Sequence, residues 1–96
     1  MSRVRVLQIK KDAKDRDFKI FRGYDRVVEE MGKIDFNHYY VVWDVFFTEE
    51  VTLEELFEIC NCYIPDDYEG HSMSVSDIVE IDGISWYCDV FGWKAL

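Results

Sequence analysis

His71, Ser72 and Asp77 fall within one seven-residue stretch and are the residue types of a hydrolytic triad. A triad, however, needs its members to converge from separate elements. Along an extended chain His71 and Ser72 point apart, and no Gly-x-Ser-x-Gly elbow is present. The stretch reads as a turn in which Ser72, Ser74 and Ser76 satisfy loop backbone groups. The metal-ligating types are Cys60, Cys62, Cys88, His38 and His71. A Cys-x-Cys step is shorter than the spacing of a zinc knuckle, and Cys60 falls on an apolar helix stripe. Asp66, Asp67 and Glu69 lack the pattern of a calcium loop. No Gly-rich phosphate loop or Walker lysine occurs. Glu80 and Asp89 approach each other across a hairpin, but glycosidase chemistry needs a cleft that 96 residues hardly supply. The expectation is therefore a non-enzyme with no catalytic residues, no metal and no cofactor.

Charge is the stronger signal. The chain carries a formal −9, and its two halves differ sharply. Residues 1–33 hold ten basic against six acidic residues, a net +4, whereas residues 34–93 hold fourteen acids and no Lys or Arg, a net −14. Mixed-sign surfaces are the rule and one-sided charge costs stability through self-repulsion, so the asymmetry points to a use. Free nucleic acid is a poor partner for such a surface; a basic protein is a good one.

The elements that must position this charge follow from periodicity. Residues 3–9 alternate as a strand with Val4 and Val6 on one face. Residues 10–17 form a charged loop, and Phe18, Ile20 and Phe21 bring the chain back to the core. Tyr24, Val27, Val28 and Met31 make one helix face, closed by Gly32. Residues 39–47 are a strand whose better core face is Tyr39, Val41, Trp43, Val45 and Phe47. Its other face is apolar as well, which predicts a central position. Thr52-x-x-Glu55 is a capping box that opens a second helix. That helix buries Leu53, Leu56, Phe57 and Cys60 and presents Glu54, Glu55 and Glu58 outward. A loop from Pro65 to Gly70 carries Asp66, Asp67 and Glu69. Two strands follow, 75–81 and 84–90, joined by Asp82-Gly83, a strong hairpin signal that sets Ile81 opposite Ile84 and Val79 opposite Trp86. The order β-α-β-α-β-β predicts an α+β fold: about four largely antiparallel strands with two helices on one face, in one domain over residues 1–96. No stretch is apolar enough to span a membrane, and Met1–Arg5 opens no signal peptide. The odd cysteine count suits a reducing compartment, so the expected location is cytoplasmic.

The C-terminal third carries Pro65-Asp66-Asp67-Tyr68-Glu69-Gly70-His71-Ser72-Met73-Ser74-Val75-Ser76-Asp77-Ile78-Val79, and then Tyr87-Cys88-Asp89-Val90-Phe91-Gly92-Trp93. This resembles the YodL-like family, and Gly70–Val79 is the most specific part of the likeness. The opening strand ending in Gln8-Ile9, the Tyr24-to-Gly32 helix, Asp35–Tyr39 and Leu56-Phe57 are similar too. Met73, Val90 and Trp93 depart from the family's Leu, Ser and Phe, so position 90 offers no hydroxyl. The resemblance implies an association with conjugative elements, plasmids and phages of Gram-positive bacteria, and no agreed catalytic residues.

In that setting small acidic proteins often disarm host defences, an analogy and not a motif. Residues four apart on a helix are ~6 Å apart and alternate strand residues ~6.7 Å apart, close to the spacing of phosphates along a nucleic-acid strand. Tyr63, Tyr68 and Tyr87 could add stacking or anchoring contacts. The expected function is a protein-binding inhibitor of a basic host protein, a CRISPR effector nuclease or a restriction enzyme. Its contact residues would be Glu54, Glu55, Glu58, Asp66, Asp67, Glu69 and Glu80. The alternative is a scaffold module of conjugation machinery that docks through Gly70–Val79.

Overall fold

The computed structural model describes residues 2–11 and 23–96. Most of the charged loop, and the return to the core at Phe18, Ile20 and Phe21, lie outside the described residues.

Strand β1 (Ser2–Ile9) is an interior strand of the sheet, next to one edge. It pairs antiparallel with β2 (Tyr39–Phe47) on one side and with β3 (Ile78–Ile81) on the other. Strands β4 (Ile84–Cys88) and β5 (Trp93–Ala95) continue outward in the order β2-β1-β3-β4-β5. The β3–β4 hairpin has the expected register, with Val79 opposite Trp86 and Ile81 opposite Ile84. Asp82 and Gly83 both take positive φ, 50° and 86°, as a type I′ turn demands.

Among the described residues two α-helices pack on this sheet. Helix α1 (Tyr24–Met31) ends where Gly32, at φ 86°, donates its N–H to Val28 O at 2.8 Å. Helix α2 (Leu53–Cys62) opens with the expected capping box: Thr52 N–H donates to Glu55 Oε1 at 3.0 Å, and Glu55 N–H donates to Thr52 Oγ1 at 3.1 Å. A 3₁₀ turn (Phe36–His38) leads into β2.

Three expectations need correction. The sheet has five strands, because the chain turns once more after Cys88 and adds β5; three residues are too short for a period to register in sequence. The helices do not share a face. β1 buries Val4 and Val6 on one side and Leu7 and Ile9 on the other, so both sides need cover. The chain leaves β2, crosses β1 through α2 and returns as β3, which sets Leu56 and Cys60 on the face with Val4, Val6 and Val79. Helix α1 meets the opposite face, where the rings of Tyr24 and Tyr87 pack edge-on at 5.7 Å.

The third correction concerns β2, which is an edge strand. Its register against β1 shifts between Val6 and Leu7: Val6 lies opposite Trp43 and Leu7 opposite Val41, leaving Val42 as an extra residue. This β-bulge flips the alternation. Tyr39 and Val41 pack on the α1 face, while Val42, Trp43, Val45 and Phe47 pack on the α2 face. The two-sided apolar pattern that predicts a central strand thus comes from one strand serving two cores.

Replacing Thr52 with Ala removes the side-chain acceptor of the cap and should destabilise the protein by about 1 kcal/mol. Urea denaturation of Thr52→Ala and Thr52→Ser checks this: the serine variant should recover most of the loss.

Candidate functional site

The acidic residues singled out in sequence divide between the two faces of the sheet. Glu54, Glu55 and Glu58 are exposed on α2, and Asp66, Asp67 and Glu69 are exposed on the loop that follows it. That loop is fixed on the same side of the sheet: Tyr68 packs in the core beneath α2, Glu69 N–H donates to Val42 O at 2.8 Å, and Trp43 Nε1–H donates to Asp67 Oδ1 at 3.0 Å. Glu55 is tied into the capping box. Neutral donors of this kind position a carboxylate but leave its charge in place. Among the described residues no Lys or Arg pairs with any of these six.

Glu80 stands apart. It lies on the α1 face opposite Arg5 and accepts from Arg5 Nη1 at 2.8 Å in a half-buried ion pair. Arg3 on the same face pairs with Asp44, also at 2.8 Å, and the guanidinium holds the Asp44 carboxyl below its ordinary range. Asp82 Oδ1 accepts from Arg3 N–H at 2.8 Å. The guanidiniums of β1 therefore meet Asp44 and Glu80 on the α1 face, and Glu80, expected as a partner contact, is paired within the fold. Of the three tyrosines considered as contacts, Tyr68 and Tyr87 are buried and Tyr63 is exposed.

Sequence reasoning missed the residue that organises the other half of the site. Gln8 is fully buried in the interior strand β1. Its Nε2 lies 3.0 Å from Tyr68 Oη, 2.8 Å from His71 O, 3.0 Å from Asp77 Oδ2 and 3.3 Å from His71 Nδ1. Its Oε1 accepts from His71 N–H at 3.1 Å. Tyr68 Oη–H also donates to His71 O at 2.8 Å. The signal was present: Gln8 falls on the same face as Val4 and Val6, and a polar side chain on a core face must find partners.

Gly70–Val79 is the stretch that supplies them. A Cβ at Gly70 would collide with Gln8 Oε1 and sit 2.8 Å from Val42 Cγ1, so only glycine fits. Met73 is buried. Ser76 takes φ 91°, a strained value for a residue with a side chain. It is held there by its N–H on Cys88 O at 3.0 Å and by Tyr39 Oη–H on its own carbonyl at 2.7 Å. Asp77 Oδ2 also accepts from Ser74 N–H at 3.0 Å, while Asp77 N–H donates to Ser74 O at 3.1 Å. Burial pushes Asp77 up to about 7, against the opposing pull of Ser74 N–H and Gln8.

The remaining reactive types are muted by the same burial. The Cys60 and Cys88 thiols are each pushed up to about 12, first by burial and then by the Asp77 charge, so they stay protonated at neutral pH. Cys62 is exposed. The Asp77 carboxylate bonds to Gln8 and to backbone, and His71 Nδ1 lies 2.7 Å from Ser72 O. Among the described residues no three His, Cys, Asp or Glu side chains gather as metal ligands, and no helix is long and apolar enough to cross a membrane.

The family model for the YodL-like domain matches residues 3–96. The chain belongs to the YodL-like family. No curated protein and no solved structure matches it. Within this YodL-like chain, Gly70–Val79 has an interior explanation: Gly70 and Asp77 answer to Gln8, Met73 fills the core beneath α2, and Ser76 is held by Cys88 and Tyr39.

Gln8→Ala leaves Asp77 and the His71 backbone short of partners and opens a cavity. It should cost about 2–4 kcal/mol, read as a lowered urea midpoint.

Asp77 gives a pH dependence of definite sign. Its folded value, about 7, lies above the unfolded one, so between roughly pH 4 and 7 the unfolded chain releases a proton that the folded chain keeps. Stability therefore falls as pH rises through that window. Asp77→Asn should remove a loss on the order of 2 kcal/mol between pH 5 and 8, visible as a flatter Tm-against-pH curve than the parent's.

Proposed function

We propose that this chain is a non-enzymatic protein-binding inhibitor carried by a mobile genetic element. Its α2 face engages a basic host surface that otherwise holds nucleic acid, of the kind found in a CRISPR effector nuclease or a restriction enzyme. The observation that carries this reading is the division of charge. Arg3 and Arg5 pair with Asp44 and Glu80 on the α1 face, while Glu54, Glu55, Glu58, Asp66, Asp67 and Glu69 stand exposed on the α2 face with no cationic partner among the described residues. Unpaired carboxylates repel one another, a cost that a cationic partner removes. Glu54 and Glu58 are one helical turn apart, ~6 Å, a phosphate-like step.

Docking through Gly70–Val79 has less support. Met73, Ser76, Asp77, Ile78 and Val79 are buried, and His71 and Ser72 are the exposed side chains of the stretch.

Reversing Glu54, Glu58, Asp66 and Glu69 to Lys tests the proposal while sparing Glu55, which caps α2, and Asp67, which holds Trp43. The parent should block DNA binding by a purified effector nuclease or restriction enzyme at near-equimolar ratio, with inhibition weakening as salt rises. The variant should fold normally by circular dichroism and inhibit at least about tenfold less. Equal inhibition by the variant, or failure of the parent to bind any basic host protein, would sink the reading.

A further inference from the structure

A cleft of about 350 Å³ lies between α2 and the β4–β5 turn, with Glu54, Phe57, Val75, Asp89, Val90 and Trp93 in its walls. Two apolar features there are out of place for a monomer surface. Phe57, which belongs to the α2 stripe expected to be buried, is 41% exposed and meets Trp93 edge-on at 6.5 Å. The turn itself is tipped by Val90 and Phe91, 58% and 95% exposed, where polar residues are the norm.

This turn is braced. Asp89 N–H donates to Gly92 O at 3.0 Å across it. Asp89 Oδ1 accepts from Val90 N–H at 2.8 Å and from Tyr24 N–H, the first residue of α1, at 3.1 Å. The apolar tip is therefore held in place from two sides, the pre-organisation that lowers the entropic cost of binding. The rim next to α2 is negative: Glu54 and Asp89 line the cleft, and Glu58 follows Glu54 by one turn. On the far side of the turn Asp25 and Arg26 are of mixed sign.

We propose that this cleft receives an apolar side chain from a basic segment of the partner. A leucine-sized or aromatic residue would sit against Phe57, Val90 and Trp93, and flanking Lys or Arg would meet Glu54, Glu58 and Asp89. The inference rests on the acidic-face reading and gives it an anchor, since charge supplies steering and a buried apolar contact supplies residence time. A symmetric contact with a second copy would bring the same charge to the same place, and the negative rim selects against it.

The probe is a synthetic peptide with a central Leu-Phe pair flanked on each side by Lys and Arg, titrated into the ¹⁵N-labelled full chain. Controls replace the Leu-Phe pair with two serines or the flanks with glutamates. The expected result is amide shifts centred on Glu54, Phe57, Val90 and Trp93. Affinity should be at least about tenfold weaker for the serine peptide, and for a Phe57→Ser/Val90→Ser variant that keeps its circular dichroism spectrum. The glutamate-flanked peptide should not bind. If the serine peptide binds as well as the apolar one, or shifts map elsewhere, the cleft assignment is overturned while the acidic face stands. If the charge-reversed chain still inhibits, the acidic-face reading falls with it. If the parent sediments as a dimer that Phe57→Ser/Val90→Ser dissociates, the occupant is a second copy and the proposal fails.

Discussion

A single amide, that of Gln8, sets the terms for half of this fold. It sits at full burial in an interior strand, where an unsatisfied polar group would cost on the order of 1–3 kcal/mol. Its partners come from a segment 60 or more positions away in sequence, so the amide ties β1 to the Tyr68–Asp77 loop. The demand propagates. The loop must approach closely enough that Gly70 has no room for a side chain, turn through a strained Ser76, and bury a carboxylate beside the amide. The chain accepts a destabilised Asp77 in exchange for a loop held in one conformation, a use of buried polarity for specificity more than for stability.

Much of this architecture was legible beforehand, for local reasons. The capping box, the C-terminal glycine of α1 and the Asp82-Gly83 turn depend on residues a few positions apart, and each appears as the sequence implies. The exposed acids of α2 and its following loop were legible too, because a helix with one apolar stripe has nowhere else to put them. What was not legible is non-local. Periodicity cannot say that β2 changes face at Val42, since the bulge exists only in relation to β1. It cannot assign two helices to opposite sides when both sides of β1 are apolar. Phe57 has the spacing of a core residue, but β5 leaves it at the edge of a cleft instead of beneath a neighbour.

The same topology explains how charge is sorted. Arg3 and Arg5 alternate with Val4 and Val6, so burial of the valines beneath α2 sends both guanidiniums to the α1 face. There the neighbouring strands place Asp44 and Glu80 within reach of them. The strand period alone thus delivers these cations to one side of the sheet and leaves the carboxylates on the other without them. Valine packing decides the face of Arg3 and Arg5.

The bulge at Val42 lets the odd-numbered apolar positions of β2 reach two different cores. With one extra residue, a nine-residue strand turns Tyr39 and Val41 toward one core and Trp43, Val45 and Phe47 toward the other. Exchanges among apolar residues of similar size keep that division. Removing Val42 itself would set Val41 beside Trp43 in simple alternation, each still opposite Leu7 or Val6 and on its present face. The two ends of the strand therefore hold their cores through register with β1, and the apolar run in the sequence conceals a one-residue insertion.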